Sequence, residues 1–391
     1  MSASPLARVR IESIDVVRGL IMILMALDHT REYLHVNAFF SNPLDLNQPS
    51  YILYFTRWVT HFCAPNFILL AGLSAYLSGQ KKTRAQQRWF LLSRGLWLIF
   101  LELTVITFGL WFDVKFSFLT LQVIWATGMG FILLSALLGL PLWAIAGLGI
   151  GIVAGHNALD GLTFPKGSTA ETVLFLLHQP GPIPLSPERL LLNLYPFLAW
   201  VGIMLCGYAL GSWYRRDASS VQRQKKLLYL GSGLVLTFIL LRLVNTYGDP
   251  APWQPQTSPG VTLLSFLNTT KYPPSLLYAL MTTGPALLLL AFLERKPRWS
   301  WMSIYGKVPL FYYLIHFYIL HSLAILVHLY QGIPWAKINF QNGTAGIEPN
   351  IGLSLAGVYL VWLGVVAFFY PLCKRYAAFK QRQTHAIWRY L

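Results

Sequence analysis

An all-α fold, a polytopic membrane bundle of about ten helices with both termini in the cytoplasm, is what this 391-residue chain predicts. Three observations carry that expectation. The composition is 55% hydrophobic and only 11% charged, with a mean hydropathy of +0.52. A soluble domain keeps about 25% charged residues because water must solvate its surface, whereas a lipid-facing surface cannot hold charge. Apolar runs of spanning length recur along the whole chain, and the segments between them alternate in basic content. Disordered, collagenous and disulfide-scaffold classes are excluded by the same numbers. Cys63, Cys206 and Cys373 are odd in number and lie in apolar stretches, so they read as small core residues.

The helices are expected at about 13–35, 52–79, 89–111, 117–138, 141–155, 190–213, 227–245, 274–294, 303–328 and 351–373, in one domain covering 1–391. Against this frame the basic residues sort by side. Arg8, Arg10, Lys81, Lys82, Arg84, Arg88, Arg215, Arg216, Arg223, Lys225, Lys226, Arg295, Lys296, Arg298, Lys374, Arg375, Lys380, Arg382 and Arg389 make 19 on one side, against six on the other. The richer side is cytoplasmic, which places both termini there and requires an even number of spans. The formal charge of +16 is therefore mostly topology. It gives no reason for a nucleic-acid partner, and leaves lipid headgroups or an anionic cofactor as the contacts for cytoplasmic cations.

The first apolar segment is too long and polar for a cleaved signal peptide and is expected to stay as a working helix. The connections on the outer side are long, at about 156–189, 246–273 and 329–350, with short interfacial helices expected at Thr169–His178 and Thr262–Leu267. Gly147, Gly151 and Gly155 on the fifth helix, and Gly207 with Gly211 on the sixth, form small-residue faces suited to close helix packing. The chain leaves homo-oligomerisation open.

The strongest signal lies in the first helix, where Asp15, Arg18, Asp28, His29 and Glu32 crowd a segment that must cross hydrocarbon. Each ionisable group at depth costs about 2.5–3.5 kcal/mol on insertion scales, so it faces a cavity or a partner. Eleven residues at 100° bring His29 back to within about 20° of Arg18, roughly 16 Å further along the axis. A conduit follows, with Arg18 and Asp15 at an inner mouth that holds an anionic donor. An imidazole at the outer mouth serves proton transfer or nucleophilic attack. Asp28 adjoins His29, but successive helical positions point about 100° apart, so its partner is expected elsewhere. The plainer reading of the same residues pairs Asp15 with Arg18 one turn apart and leaves His29 as polar packing.

Other candidates follow by depth and company. Arg57, His61 and Asn66 are expected to turn polar groups toward the cavity from the second helix. Lys271, beside Tyr272 and a proline pair, sits at the outer mouth, where it can hold an acceptor. His316 lies near mid-membrane in the ninth helix. Glu102 is expected to pair with an arginine such as Arg94 or to take protons in the cavity. His156, His178, His328 and His385 fall at loops or helix ends, where a solvated imidazole needs no explanation. No histidine, cysteine and carboxylate spacing matches a metal site, so no metal is expected.

Four stretches carry a resemblance to a known family. The segment Arg8–Gly79 contains Ser13-Ile-Asp15-Val-Val-Arg18-Gly19, Met25-Ala-Leu-Asp28-His29-Thr-Arg31 and Thr60-His61-Phe-Cys-Ala-Pro65-Asn66. With Trp200–Gly211, Lys271–Leu277 and Gly306–Phe317, it resembles the bacterial membrane proteins grouped with the catalytic domain of heparan-alpha-glucosaminide N-acetyltransferase. The spacing from Arg18 to His29 is also similar to the first-helix motif of broader transmembrane acyltransferases. The resemblance implies an acyltransferase of the bacterial inner membrane that passes an acyl group, most simply acetyl from acetyl-CoA, to an extracytoplasmic glycan or small-molecule acceptor. It implies catalysis by His29 with Asp28, donor contact by Arg18 and Asp15, and acceptor or supporting roles for His61, Arg57, Asn66, Lys271 and His316. A proton-coupled transporter or lipid flippase is the competing class, since buried charges also mark ion pathways, although no inverted repeat is evident.

Overall fold

A computed structural model describes residues 11–215, 217–294 and 299–383. Arg8, Arg10, Arg216, Arg295, Lys296, Arg298, His385 and Arg389 lie outside the described residues. Each expected helix has a counterpart: α1 Glu12–Leu34, α2 Tyr51–Thr60 with α3 Cys63–Gly79, and α4 Arg84–Leu101 with α5 Thr107–Trp111. There follow β1 Phe118–Leu121, α6 Val123–Leu137, α7 Leu142–Gly155, α8 Thr169–Leu177, β2 Gly181–Ser186, β3 Arg189–Asn193 and α9 Phe197–Leu210. The remainder is α10 Ser220–Val244, α11 Pro259–Leu267, α12 Leu276–Leu293, α13 Ser303–Lys307, α14 Pro309–Tyr330 and α15 Leu355–Arg382. Eight of these stretches are long and apolar enough to cross a membrane. Helix α1 misses that description through its charges, and α6 through its 15-residue length. The chain is a polytopic membrane bundle, and α8 and α11 are the two short loop helices.

The departures from uninterrupted helices have local causes. The second span breaks between Thr60 and Cys63 because Pro65 has no N–H for the carbonyl of His61. That carbonyl accepts from the Tyr278 hydroxyl at 2.8 Å instead, and Asn66 Nδ2 takes the Phe62 carbonyl at 2.8 Å. The third span passes through a π turn at Glu102–Ile106. Residues expected to begin the fourth and sixth spans form strands, because a short leucine-rich run such as Leu190–Leu192 suits a buried strand as well as a helix. The resulting sheet has the order β1-β3-β2, with β1 parallel to β3 (Phe118↔Leu190) and β2 antiparallel to it (Pro182↔Leu192). Pro182 and Pro184 confine β2 to the edge.

Helix α1 is packed on many sides, touching α2, α3, α12, α13, α14 and α15. Its contact with α13 is backbone to backbone. A Cβ on Gly19 would lie 1.9 Å from the Met302 carbonyl oxygen, and one on Gly306 would lie 1.9 Å from that of Asp15. Gly207 is similarly pressed against the Leu69 carbonyl on α3, as expected of its face. The fifth-helix expectation is corrected: Gly147, Gly151 and Gly155 meet nothing within 4 Å, and Gly149 makes the close contact with α9. A glycine spacing marks a permissive face, but Gly149 shows that the buried one is set by the neighbour it must meet.

The two ends of the bundle differ chemically. At the end where α1 begins, Ser13 Oγ donates to Glu294 Oε1 at 2.9 Å and Arg223 Nε donates to Glu294 Oε2 at 2.6 Å. At the opposite end Leu353 N donates to Leu34 O at 2.6 Å, and Asn37 and Asn350 exchange hydrogen bonds. The long loops gather at this second, outer end.

Gly19→Ala should lower the unfolding midpoint in detergent by the equivalent of about 1–3 kcal/mol, the cost of overpacking a filled interface. Gly147→Ala, in open space, should leave it unchanged or raise it. Equal midpoints for the two variants would refute the packing assignment.

Candidate functional site

The outer half of α1 carries three charges that a fourth, from α2, joins in a cluster. Asp28 and Glu32 sit one turn apart, so their carboxylates share a face with Arg31 beside them. Arg31 Nη2 lies 3.3 Å from Asp28 Oδ1 and 3.4 Å from Glu32 Oε1. Arg57 comes across from α2 to ion-pair with Asp28 Oδ2 and lies 3.7 Å from Glu32. Two anions meet two cations, which is the condition under which buried charge is tolerated. Asp28, Arg31 and Arg57 are all buried.

Next to this cluster lies a pair of imidazoles. His29 Nδ1 is 2.6 Å from His316 Nε2, and His316 Nδ1 is 2.6 Å from the Tyr313 carbonyl. A carbonyl only accepts, so His316 carries its proton on Nδ1, and in the neutral pair its Nε2 accepts from His29 Nδ1–H. The consequence is a fixed tautomer for His29, whose Nε2 keeps a free lone pair. Phe317 stacks on the His29 ring at 4.5 Å and helps to hold its plane.

His29 lines a cavity of about 40 Å³ together with Ile21, Met25, Asp28, Cys63, Lys271 and Tyr313, among others. At roughly 10–15 Å³ per water this holds about three waters. From Ile21 to His29 it follows α1 for about 12 Å at 1.5 Å per residue. Its inner end begins one turn beyond Arg18, whose guanidinium bonds Ser74 Oγ at 2.7 Å, the Gly306 carbonyl at 3.2 Å and Asp15 at 3.3 Å.

Lys271 enters the cavity from a loop braced on both sides. Asp249 accepts from Thr270 N at 2.8 Å and Oγ1 at 2.9 Å, and from Ser275 Oγ at 2.6 Å. Arg242, buried near the end of α10, donates to the carbonyls of Ala251, Ser265, Phe266 and Asn268 and so ties the preceding turns. Lys271 Nζ lies 5.0 Å from the centre of the Tyr272 ring. Tyr272, outside the spans, is held below the usual phenol range: burial opposes this, and Lys271 and Arg57 outweigh it.

The sequence expectations meet this geometry unevenly. Asp28, His29 and Lys271 come together on one cavity, with His316 directly behind His29 and Arg57 directly behind Asp28. His61 and Asn66 do not line it: His61 is buried against Tyr278, and Asn66 joins the helix break to the Thr282 carbonyl at 3.1 Å. They were expected there because polar groups one turn apart share a face, but the break at Pro65 turns that face away. Among the described residues Glu102 pairs with no arginine. Its Oε2 accepts from Trp125 N at 2.8 Å, so it caps α6 from the neighbouring span. His156, His178 and His328 are buried rather than solvated. Gln122, Tyr195 and Tyr313 line the cavity and carried no sequence signal beyond an aromatic or polar residue at a span end.

The fold and this site define a multi-pass membrane protein with a cavity-lining histidine near the end of a polar first helix. Residues 10–239 match the family described as heparan-alpha-glucosaminide N-acetyltransferase, catalytic, and the chain belongs to that family. Membership implies a membrane acetyltransferase that draws on acetyl-CoA. The matched range holds Arg18, Asp28, His29 and Arg57, while Lys271 and His316 lie beyond it. No significant match is found among curated proteins.

Removing one member of the charge cluster should unbalance the rest. Asp28→Asn and Arg57→Met should each lower stability by about 3–5 kcal/mol, and the double variant, which restores neutrality, should lose less than the sum. Additive losses in denaturant unfolding would show that the pair is not coupled.

Proposed function

We propose that the chain moves an acetyl group from cytoplasmic acetyl-CoA to a hydroxyl or amine of an extracytoplasmic glycan or small molecule, across a bacterial inner membrane. The observation that carries this reading is the single free ring nitrogen of His29, set on a cavity that runs along α1 toward Arg18. Acetyl-CoA is a polyanion with a neutral thioester at the end of a long arm. Arg18, at the basic end of the bundle, faces its phosphates or arm while the arm reaches inward beside Ile21 and Met25.

In the transfer step the acceptor's oxygen or nitrogen attacks the thioester carbonyl carbon while His29 Nε2 takes its proton. The tetrahedral oxyanion collapses, the carbon–sulfur bond breaks, and the thiolate leaves and recovers the proton from His29. Of the charges around the outer site, Asp28 and Glu32 cancel Arg31 and Arg57, and Lys271 leaves a surplus of one positive charge. That surplus is suited to the developing oxyanion. Asp28 is a positioning residue, since its carboxylate is committed to two guanidiniums and cannot also take a proton. His316 is a second positioning residue, through the tautomer it imposes. Arg57 supports Asp28, His61 and Asn66 support the helix break, and Asp15 holds Arg18.

His29→Ala should abolish acetyl transfer in a variant that still elutes as a folded, monodisperse species, and wild-type turnover would refute the assignment. Arg18→Ala should weaken acetyl-CoA binding by calorimetry with little change in the pH profile of any residual turnover. Unchanged donor affinity would remove Arg18 from the donor site. His316→Phe should lower kcat and shift the acidic limb of the pH profile, where His29 becomes protonated, while KM for acetyl-CoA holds, a pattern that a purely structural defect would not give.

A further inference from the structure

His156, Asp160 and His178 form a cluster at the outer end that the acetyl-transfer reaction does not use. His156 and Asp160 are four residues apart at the end of α7, and His178 closes α8, so two loop elements bring them together. One donor atom from each lies within 4.8 Å of the others. Both imidazoles are at least nine-tenths buried, at 3% and 1% exposure. Burial at this level normally comes with a hydrogen bond on each polar atom. Here His178 Nε2 is 2.8 Å from Asp160 Oδ1, but among the described residues His178 Nδ1 has no partner. One nitrogen of His156 faces the Pro274 carbonyl, yet neither forms a hydrogen bond of normal geometry.

We propose that these three residues bind a divalent transition-metal ion of the zinc type. Two imidazoles and a carboxylate are a donor set that suits zinc, with a fourth position left for water. Donor atoms around tetrahedral zinc stand about 3.4 Å apart, so the widest pair in the cluster has to close by at most about 1.4 Å and the His178–Asp160 pair to open by about 0.6 Å. Its surroundings are those of a metal site. Ligating histidines turn their second nitrogen to a carbonyl or carboxylate, which Pro274 provides for His156, and Asn157 Nδ2 holds the other Asp160 oxygen at 2.8 Å. Asp160 is part-exposed, which gives the ion a way in from the outer face. Single-residue spacing hid the site, because His178 reaches it only through the fold of the loop.

The location gives the ion a task. Pro274 is three residues from Lys271, and Asn157 Oδ1 accepts from Leu276 N at 2.9 Å. A metal at this point clamps the loop that carries Lys271 into the cavity.

The test uses the full-length protein purified in detergent, stripped with chelator and dialysed against zinc. Elemental analysis should return one zinc per chain, and cobalt in its place should give the intense visible bands of a four-coordinate site. His178→Gln, His156→Gln and Asp160→Asn should each weaken zinc by about 10–100-fold or more. Asp160→Asn, at a part-exposed position, keeps the test open if a buried substitution fails to fold. Hydrogen exchange at 270–277 should slow on adding zinc to the wild type and stay unchanged in the variants. Absence of stoichiometric zinc in folded wild-type protein, or undiminished zinc in all three variants, would overturn the site.

Discussion

Everything in this bundle follows from a first helix that is too polar to face lipid. Its outer end alone carries Asp28, Arg31 and Glu32, and no tilt or snorkelling removes Asp28 from the membrane. The remedy is structural. Helix α1 is enclosed by its neighbours, Arg57 is brought in from α2 to complete a neutral cluster, and glycines at 19 and 306 let α13 approach closely enough to seal the inner half. Hydrophobic burial alone would not have selected this arrangement, because lipid solvates leucine as well as protein does. Charge pairing and close backbone contact are what distinguish the inside of this bundle from the membrane around it.

The same constraint governs how much could be read in advance. Span positions were legible because length and hydropathy are one-dimensional properties of the chain. Arg18 and His29 were legible because helical geometry fixes their relative face. What could not be read was any partner on another element. Arg57 could be placed at depth, but its engagement with Asp28 depends on the break that Pro65 puts between α2 and α3. His316 could be placed near mid-membrane, yet its role rests on a contact 287 positions away in sequence. Glu102 shows the converse: its mid-span charge invited an arginine, and a backbone N–H at the start of α6 bonds its Oε2 instead.

Irregular backbone surrounds the site on several sides. The break before Cys63 lies among residues that line the cavity, the strand β1 ends just before the lining residues Gln122 and Val123, and the π turn after Leu101 carries the Glu102 that caps α6 beside them. Non-helical backbone is tolerated at membrane depth only where protein or a water-lined cavity receives its polar groups. Here the receivers are identifiable, as Tyr278 for His61, Asn66 for Phe62 and Glu102 for Trp125. The interruptions therefore open room for polar side chains without leaving donors stranded, and the cavity is the space they leave.

This arrangement also separates the roles of two adjacent residues. Asp28 and His29 are neighbours in sequence, and either could act as a base if it stood alone. Two guanidiniums hold Asp28 as an anion, and removing a proton from an acceptor would require it to give up that pairing. His29 is held in the opposite condition, neutral in its pairing with a second neutral imidazole, with one nitrogen unused. The charge that makes α1 costly in a membrane is thereby spent on position, and in the proposed reaction the proton passes to His29, which can change its protonation without breaking an ion pair.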